Sequence, residues 1–112
     1  MTVKELAEVL GLEVLTGNVN LERQVGSGYT SDLLSDVIAN IGEDAAWITI
    51  QRHMNILGVA KLRDVSAIII PRDLTLEDAF LVKAAEEGIA VLRGSPSAFE
   101  LSALIYNELK KS

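Results

Sequence analysis

The sequence has no cysteine, which removes disulfides, thiolate metal sites and thiol nucleophiles together and suits a reducing cytoplasm. Aromatic residues are scarce: Tyr29, Trp47, Phe80, Phe99 and Tyr106 are all there are. A core must therefore come from Ile, Leu, Val and Ala. Basic residues are in the minority, ten Lys and Arg against sixteen Asp and Glu, for a net charge of −6. That balance excludes the dense basic footprint of a nucleic-acid binder and disfavours an anionic membrane surface. No apolar run approaches the roughly 18–20 residues of a transmembrane helix. Met1-Thr2-Val3-Lys4-Glu5 lacks the regions of a signal peptide, so the expectation is a cytoplasmic protein. A phosphate-binding G-x-x-x-x-G-K-[ST] loop is absent. His53 is the single histidine, with no second one to form a metal pair and no triad signature around it.

What is present reads as one α/β domain over residues 1–112. Thr2 and Glu5 form a capping-box start, Leu6, Val9 and Leu10 share a helical face, and Gly11 supplies the stop. Glu13–Gly17 reads as a short strand, and Val19–Val25 as a second extended segment. Leu33, Leu34, Val37, Ile38 and Ile41 repeat at helical spacing, with Gly42 closing. Ala45–Ile50, Ser66–Pro71 and Ile89–Leu92 are apolar runs of the kind a doubly covered parallel strand shows. Between them lie helices over Met54–Arg63, where Gly58 suggests close packing, and from Thr75 and Asp78 to Gly88. Pro96 suits the first position of a last helix that carries Leu101, Leu104, Ile105 and Leu109. The expected architecture is a three-layer α/β fold. Its mostly parallel central sheet comes from βαβ units, with an N-terminal helix and short edge strands.

In such sheets ligands collect beyond the carboxyl ends of the strands. After the three core strands come Gln51-Arg52-His53, Pro71-Arg72-Asp73 and Arg93-Gly94-Ser95. Three of the five arginines thus follow strands directly in an acidic chain, and helix amino ends add partial positive charge there. An anion, a phosphate or a nucleotide, is the ligand this pattern invites. The ordinary alternative is that the arginines cover the sheet rim or pair with nearby carboxylates. The stretch Gly26-Ser27-Gly28-Tyr29-Thr30-Ser31-Asp32 precedes a helix and reads in two ways. It is a flexible turn followed by N-cap and first-turn residues (Ser31, Asp32, Ser35, Asp36), or a backbone that meets a ligand beside the arginines. Its G-x-G is not a dinucleotide fingerprint, for which it lacks a third glycine and a preceding long strand.

From Ser27 onward the order of pieces resembles a DRTGG-type domain. The resemblance is carried by Gly28-Tyr29-Thr30-Ser31-Asp32-Leu33-Leu34, by Ala46-Trp47-Ile48-Thr49 leading to Gln51-Arg52-His53-Met54-Asn55, and by Ala67-Ile68-Ile69-Ile70. It continues through Ala84–Leu92 and Ser97-Ala98-Phe99-Glu100-Leu101, spanning roughly Leu21 to Leu109. Such domains accompany CBS-domain pyrophosphatases and phosphotransacetylases. They are similar to the N-terminal, MurF-like domain of HPr kinase/phosphorylase, and some stand-alone relatives are encoded beside iron hydrogenase genes. The resemblance implies a regulatory or assembly role, commonly with self-association, and no catalysis of its own. Two departures bear on any ligand site. Pro71-Arg72-Asp73 stands where relatives tend to carry Thr-Gly-Gly, and Gln51-Arg52 where they tend to carry Asp-Arg.

The leading expectation is a non-catalytic module that forms a homodimer and senses an anionic metabolite or nucleotide through Ser27, Gly28, Thr30, Ser31, Asp32, Gln51, Arg52, Arg72, Asp73, Arg93 and Ser95. No metal or cofactor is assigned. A second class is an interaction protein that docks a larger partner enzyme, as in a hydrogenase complex, through an apolar patch near Tyr29, Trp47 or the helix after Met54. A third is a small enzyme, which would need Asp32, Asp73 and His53 to converge on one substrate position.

Overall fold

Residues 1–111 are described in a computed structural model of the chain. Its centre is a five-stranded sheet in the order β1-β5-β4-β3-β2. The strands are β1 (Glu13–Val14), β2 (Ser27–Thr30), β3 (Ala45–Ile48), β4 (Ala67–Ile70) and β5 (Val91–Arg93). From β2 to β5 the strands run parallel, and β1 closes the β5 edge antiparallel, pairing Glu13 with Arg93.

Strand alternation sorts the core into two layers. Trp47, Ile68, Ile70 and Val91 pack under α2 (Leu34–Asn40), α3 (Asn55–Leu62) and α4 (Asp78–Glu86). Ala46, Ile48, Ala67, Ile69 and Leu92 pack under α1 (Val3–Leu10) and α5 (Ala98–Lys111). All of β3 and β4 is buried. Each fully buried aliphatic side chain contributes about 1.5–3 kcal/mol, so these two strands anchor the fold. The three-layer α/β expectation therefore holds, with the N-terminal helix and a short edge strand in place.

Several local expectations are corrected. Ser27–Thr30 is a parallel edge strand rather than a flexible turn, and neither Gly26 nor Gly28 takes a positive φ. The strand has no apolar alternation for a sequence reading to find, because its register is set by β3 alone. Of the expected extended segment Val19–Val25, residues 19–22 form bends and turns; Gln24 makes an isolated antiparallel bridge to Thr2, with Val3 N donating to Arg23 O at 2.9 Å, Lys4 N to Leu21 O at 3.0 Å and Val25 N to Met1 O at 2.8 Å. The cap of α2 is Leu33, without a side-chain bond, so Ser31 and Asp32 are not its N-cap and first turn. Gly42 does not close that helix, whose C-cap Ile41 is extended. Pro96 is not the first residue of α5. Instead Ser97 and Glu100 form a capping box, Glu100 N donating to Ser97 Oγ at 3.2 Å and Ser97 N to Glu100 Oε1 at 3.0 Å. Gly58 is not closely packed, since a Cβ there would meet nothing within 4 Å. The capping box of α1 and its left-handed Gly11 stop form as expected.

Candidate functional site

Because β2 to β5 are parallel, their carboxyl ends share one edge of the sheet, and the loops that leave them form a common rim. A cleft of about 390 Å³ opens there, lined by Ile50, Gln51, Arg52, His53, Thr75 and Glu77. The β3–α3 loop supplies one wall, and the approach to α4 supplies the other.

Arg52 spans the cleft. Its Nε donates to Ile50 O at 3.1 Å and its Nη1 to Thr75 O at 2.8 Å. It is exposed, and among the described residues it has no carboxylate partner and its Nη2 makes no bond. The guanidinium is thus held in place by carbonyls while keeping its charge. That is the arrangement a bound anion requires.

Asp32 and Gln51 fix the wall behind it. Asp32 Oδ1 accepts from Thr49 Oγ1 and from Ile50 N, each at 2.8 Å, and Gln51 Nε2 donates to Asp32 O at 2.9 Å. Gln51 N donates to Thr49 Oγ1 at 3.1 Å. Ser31 extends the same brace, with Ser31 N donating to Ile48 O and its carbonyl accepting from Trp47 Nε1 at 3.0 Å. Trp47 is fully buried, so it offers no surface patch. Asp32 therefore orders the loop, its carboxylate oxygen already occupied twice.

Arg93 is spent otherwise. Its Nη2 lies 2.8 Å from Glu13 Oε1, and its Nη1 donates to Leu74 O at 3.2 Å. Its charge is balanced by β1, which is the rim-covering alternative. Arg72 and Asp73 both take the left-handed backbone, φ 56 and 49, and their amides donate to Pro96 O and Gly94 O, each at 2.9 Å. This turn locks the β4–α4 loop beneath the β5–α5 connection, leaving the Arg72, Asp73 and Ser95 side chains exposed and outside the cleft lining.

The remaining expected positions divide. Thr30 Oγ1 lies 2.7 Å from Ser102 Oγ on α5. Ser27 and Gly28 sit at the other end of β2, beside Tyr106, Leu109 and Lys110. The glycine stretch and the arginines thus meet only through Ser31 and Asp32. Of the three acid–base candidates, Asp32 is taken up by Thr49 and Ile50, His53 lines the cleft and Asp73 lies outside its lining.

Sequence reasoning missed the roles of Thr49, Thr75, Glu77 and Glu13. Thr75 and Glu77 were within reach of the strand-end rule, had it been carried past the turn at Asp73. Tyr29 and Asp36 were also missed as a pair. Tyr29 OH donates to Asp36 Oδ2 at 2.8 Å, which holds that carboxyl below its usual range, helped by Ser31 and Asn40, and raises the phenol.

No protein-family model matches the sequence, and no curated protein matches it. Among solved structures, the CBS and DRTGG domains of the regulatory region of Clostridium perfringens pyrophosphatase, complexed with the activator diadenosine tetraphosphate, superpose with a TM-score of 0.73 at 20% identity. The match covers 93% of this chain and 45% of that one, so this chain spans less than half its neighbour's length. At that identity the likeness is one of fold, and it supports a DRTGG-like fold here.

Proposed function

We propose that this chain is a non-catalytic regulatory module that self-associates and binds an anionic metabolite of the nucleotide type in the Arg52 cleft. One observation carries the reading. Arg52 is an unneutralised guanidinium, immobilised by the carbonyls of Ile50 and Thr75 at the mouth of a cleft formed by strand-end loops. Gln51, His53 and Thr75 add polar groups on the same walls, and Glu77 adds a carboxylate. A cation and a carboxylate on the walls of one cleft suit a ligand that carries both phosphate and sugar hydroxyls better than a bare anion. The neighbour of known structure is a regulatory region bound to a dinucleoside polyphosphate, which is the same ligand class. A thermal-shift screen with adenine nucleotides and phosphorylated metabolites tests the reading. It expects a stabilisation that Arg52→Ala removes. The absence of any shift at millimolar ligand would leave only an assembly role.

A second reading, docking onto a larger enzyme, is favoured by the outer face of α3 and α4. Met54, Leu62 and Val82 are exposed on these elements, and a groove of about 380 Å³ is lined by Met54, Leu57, Gly58, Lys61, Lys83 and Glu87. Co-purification from the native host tests it, and recovery of the chain alone would count against it.

A further inference from the structure

Glu77 is the one carboxylate on the walls of the Arg52 cleft. A negative side chain repels a bound phosphate, and it suits an anion site only where the same ligand offers it hydrogen-bond donors. Glu77 is exposed and stands at the N-cap of α4, yet its side chain makes no cap bond. Among the described residues its carboxylate has neither a hydrogen-bond nor an ion-pair partner. The carboxylates that open α1 and α5 differ, since Glu5 accepts from Thr2 N at 2.8 Å and Glu100 from Ser97 N at 3.0 Å.

The backbone holds Glu77 in place. Its carbonyl accepts from Phe80 N at 3.1 Å and from Leu81 N at 3.2 Å. Glu77 is extended, and Leu76 is buried between the exposed Thr75 and Glu77, so those two side chains leave the same side of the segment, into the cleft that both line. Arg52 is tied to the same segment through Thr75 O at 2.8 Å. Two extended residues span about 6–7 Å, which stations the guanidinium and the carboxylate along one short stretch of wall. No ion pair joins them, and the Thr75 hydroxyl between them has no partner among the described residues.

We infer that Glu77 is the sugar-recognising residue of this cleft: the ligand is a ribonucleotide, with a phosphate on Arg52 and the 2′,3′-diol on the Glu77 carboxylate. This rests on the nucleotide reading of the Arg52 cleft and narrows it from an anion to a ribose-bearing one. The free Nη2 of Arg52 supplies a charge-assisted contact to phosphate oxygen. A carboxylate only accepts, and its two oxygens match two neighbouring hydroxyls, the use acidic residues have beside the ribose in other nucleotide sites. The 5′-phosphate and the diol lie on opposite sides of one sugar ring, which fits a cation and a carboxylate set two residues apart on the wall. A bare phosphate gains from Arg52 and loses to Glu77, so the same carboxylate selects against it. The cleft, about 390 Å³, is at the small end of ligand pockets and suits the phosphate and sugar of one nucleotide.

Isothermal titration of the whole chain in EDTA with ATP, 2′-deoxy-ATP and inorganic tripolyphosphate tests the assignment, on the wild type, Glu77→Ala and Arg52→Ala. The wild type is expected to bind ATP about tenfold more tightly than 2′-deoxy-ATP. Glu77→Ala is expected to bring ATP down to the level of the deoxynucleotide while tightening tripolyphosphate, and Arg52→Ala to weaken all three. Equal wild-type affinities for ATP and 2′-deoxy-ATP, both lost in Arg52→Ala, overturn the sugar assignment and leave the Arg52 reading standing. Tightening of ATP and 2′-deoxy-ATP alike in Glu77→Ala overturns it too, since Glu77 then only repels phosphate. A contribution of Glu77 that appears only when Mg²⁺ replaces EDTA, equal for the two nucleotides, assigns the carboxylate to a cation and likewise overturns it. No saturable binding of any probe at millimolar concentration overturns both readings.

Discussion

Arg52 and Arg93 hold neighbouring carbonyls of one loop: Arg52 Nη1 donates to Thr75 O at 2.8 Å and Arg93 Nη1 to Leu74 O at 3.2 Å. The two guanidiniums fasten the approach to α4 from two strand ends, yet they differ in charge balance. Arg93 is paired with Glu13 and partly buried, whereas Arg52 is exposed and has no carboxylate partner among the described residues. Arg93→Ala is therefore expected to cost about 1–2 kcal/mol in urea unfolding, and Arg52→Ala only about 0.5 kcal/mol. Ligand binding should reverse that order, with Arg52→Ala the more damaging change.

Asp32 orders the cleft wall through a single oxygen. Asp32→Ala leaves the buried Thr49 hydroxyl and the Ile50 amide without their acceptor, for an expected loss of about 1–2 kcal/mol. Asp32→Asn keeps an Oδ1 acceptor and should retain most of the stability. Equal losses in the two variants, by denaturant midpoint, would mean that charge rather than hydrogen bonding matters there.

Two glycines make opposite predictions. Gly58 lies within α3 with open space where a side chain would point, so Gly58→Ala should stabilise by about 1 kcal/mol. At Gly94 a Cβ would lie 2.7 Å from Leu12 Cδ2 and 3.3 Å from Pro96 Cδ. Leu12 is buried and can move only at the expense of its packing, so Gly94→Ala should destabilise by about 1–3 kcal/mol. Thermal melting of the pair checks both signs.

Stability should fall on the acid side. The Tyr29 hydroxyl lowers the Asp36 pKa, and the Ser97 backbone N–H lowers that of Glu100. A depressed folded-state pKa gives a contribution that is complete above the unfolded carboxylate range, about pH 4, and is lost as pH falls through the lower folded value. Urea midpoints should hold steady from about pH 7 to pH 5 and drop below about pH 4. Asp36→Asn should flatten part of that slope, and a slope unaltered by the change would show that Tyr29 does not set it.

The legible part of the fold was the part with strong local chemistry. Ala67-Ile68-Ile69-Ile70 announces a doubly covered strand because every position must be apolar, and the Thr2–Glu5 box announces α1 because both caps lie within one turn. The β2 strand was illegible because small residues at an edge have no alternation to display. The fate of the strand-end arginines was half legible. Their shared edge followed from parallel strands, but Arg93 is neutralised by Glu13 from a strand eighty residues away, which no local pattern signals. The same applies to Arg23, which bridges Asp44 at 2.6 Å and Asp64 at 3.1 Å across two left-handed turns and stabilises the opposite end of the sheet.

The most direct test of the central claim is an amide chemical-shift titration of the labelled chain with ATP, repeated on Arg52→Ala. The account predicts saturable shifts concentrated at Gln51, Arg52, His53, Thr75 and Glu77 in the wild type, and their loss in the variant. Shifts absent at millimolar ATP, or confined to residues away from the cleft and unchanged by Arg52→Ala, would contradict it.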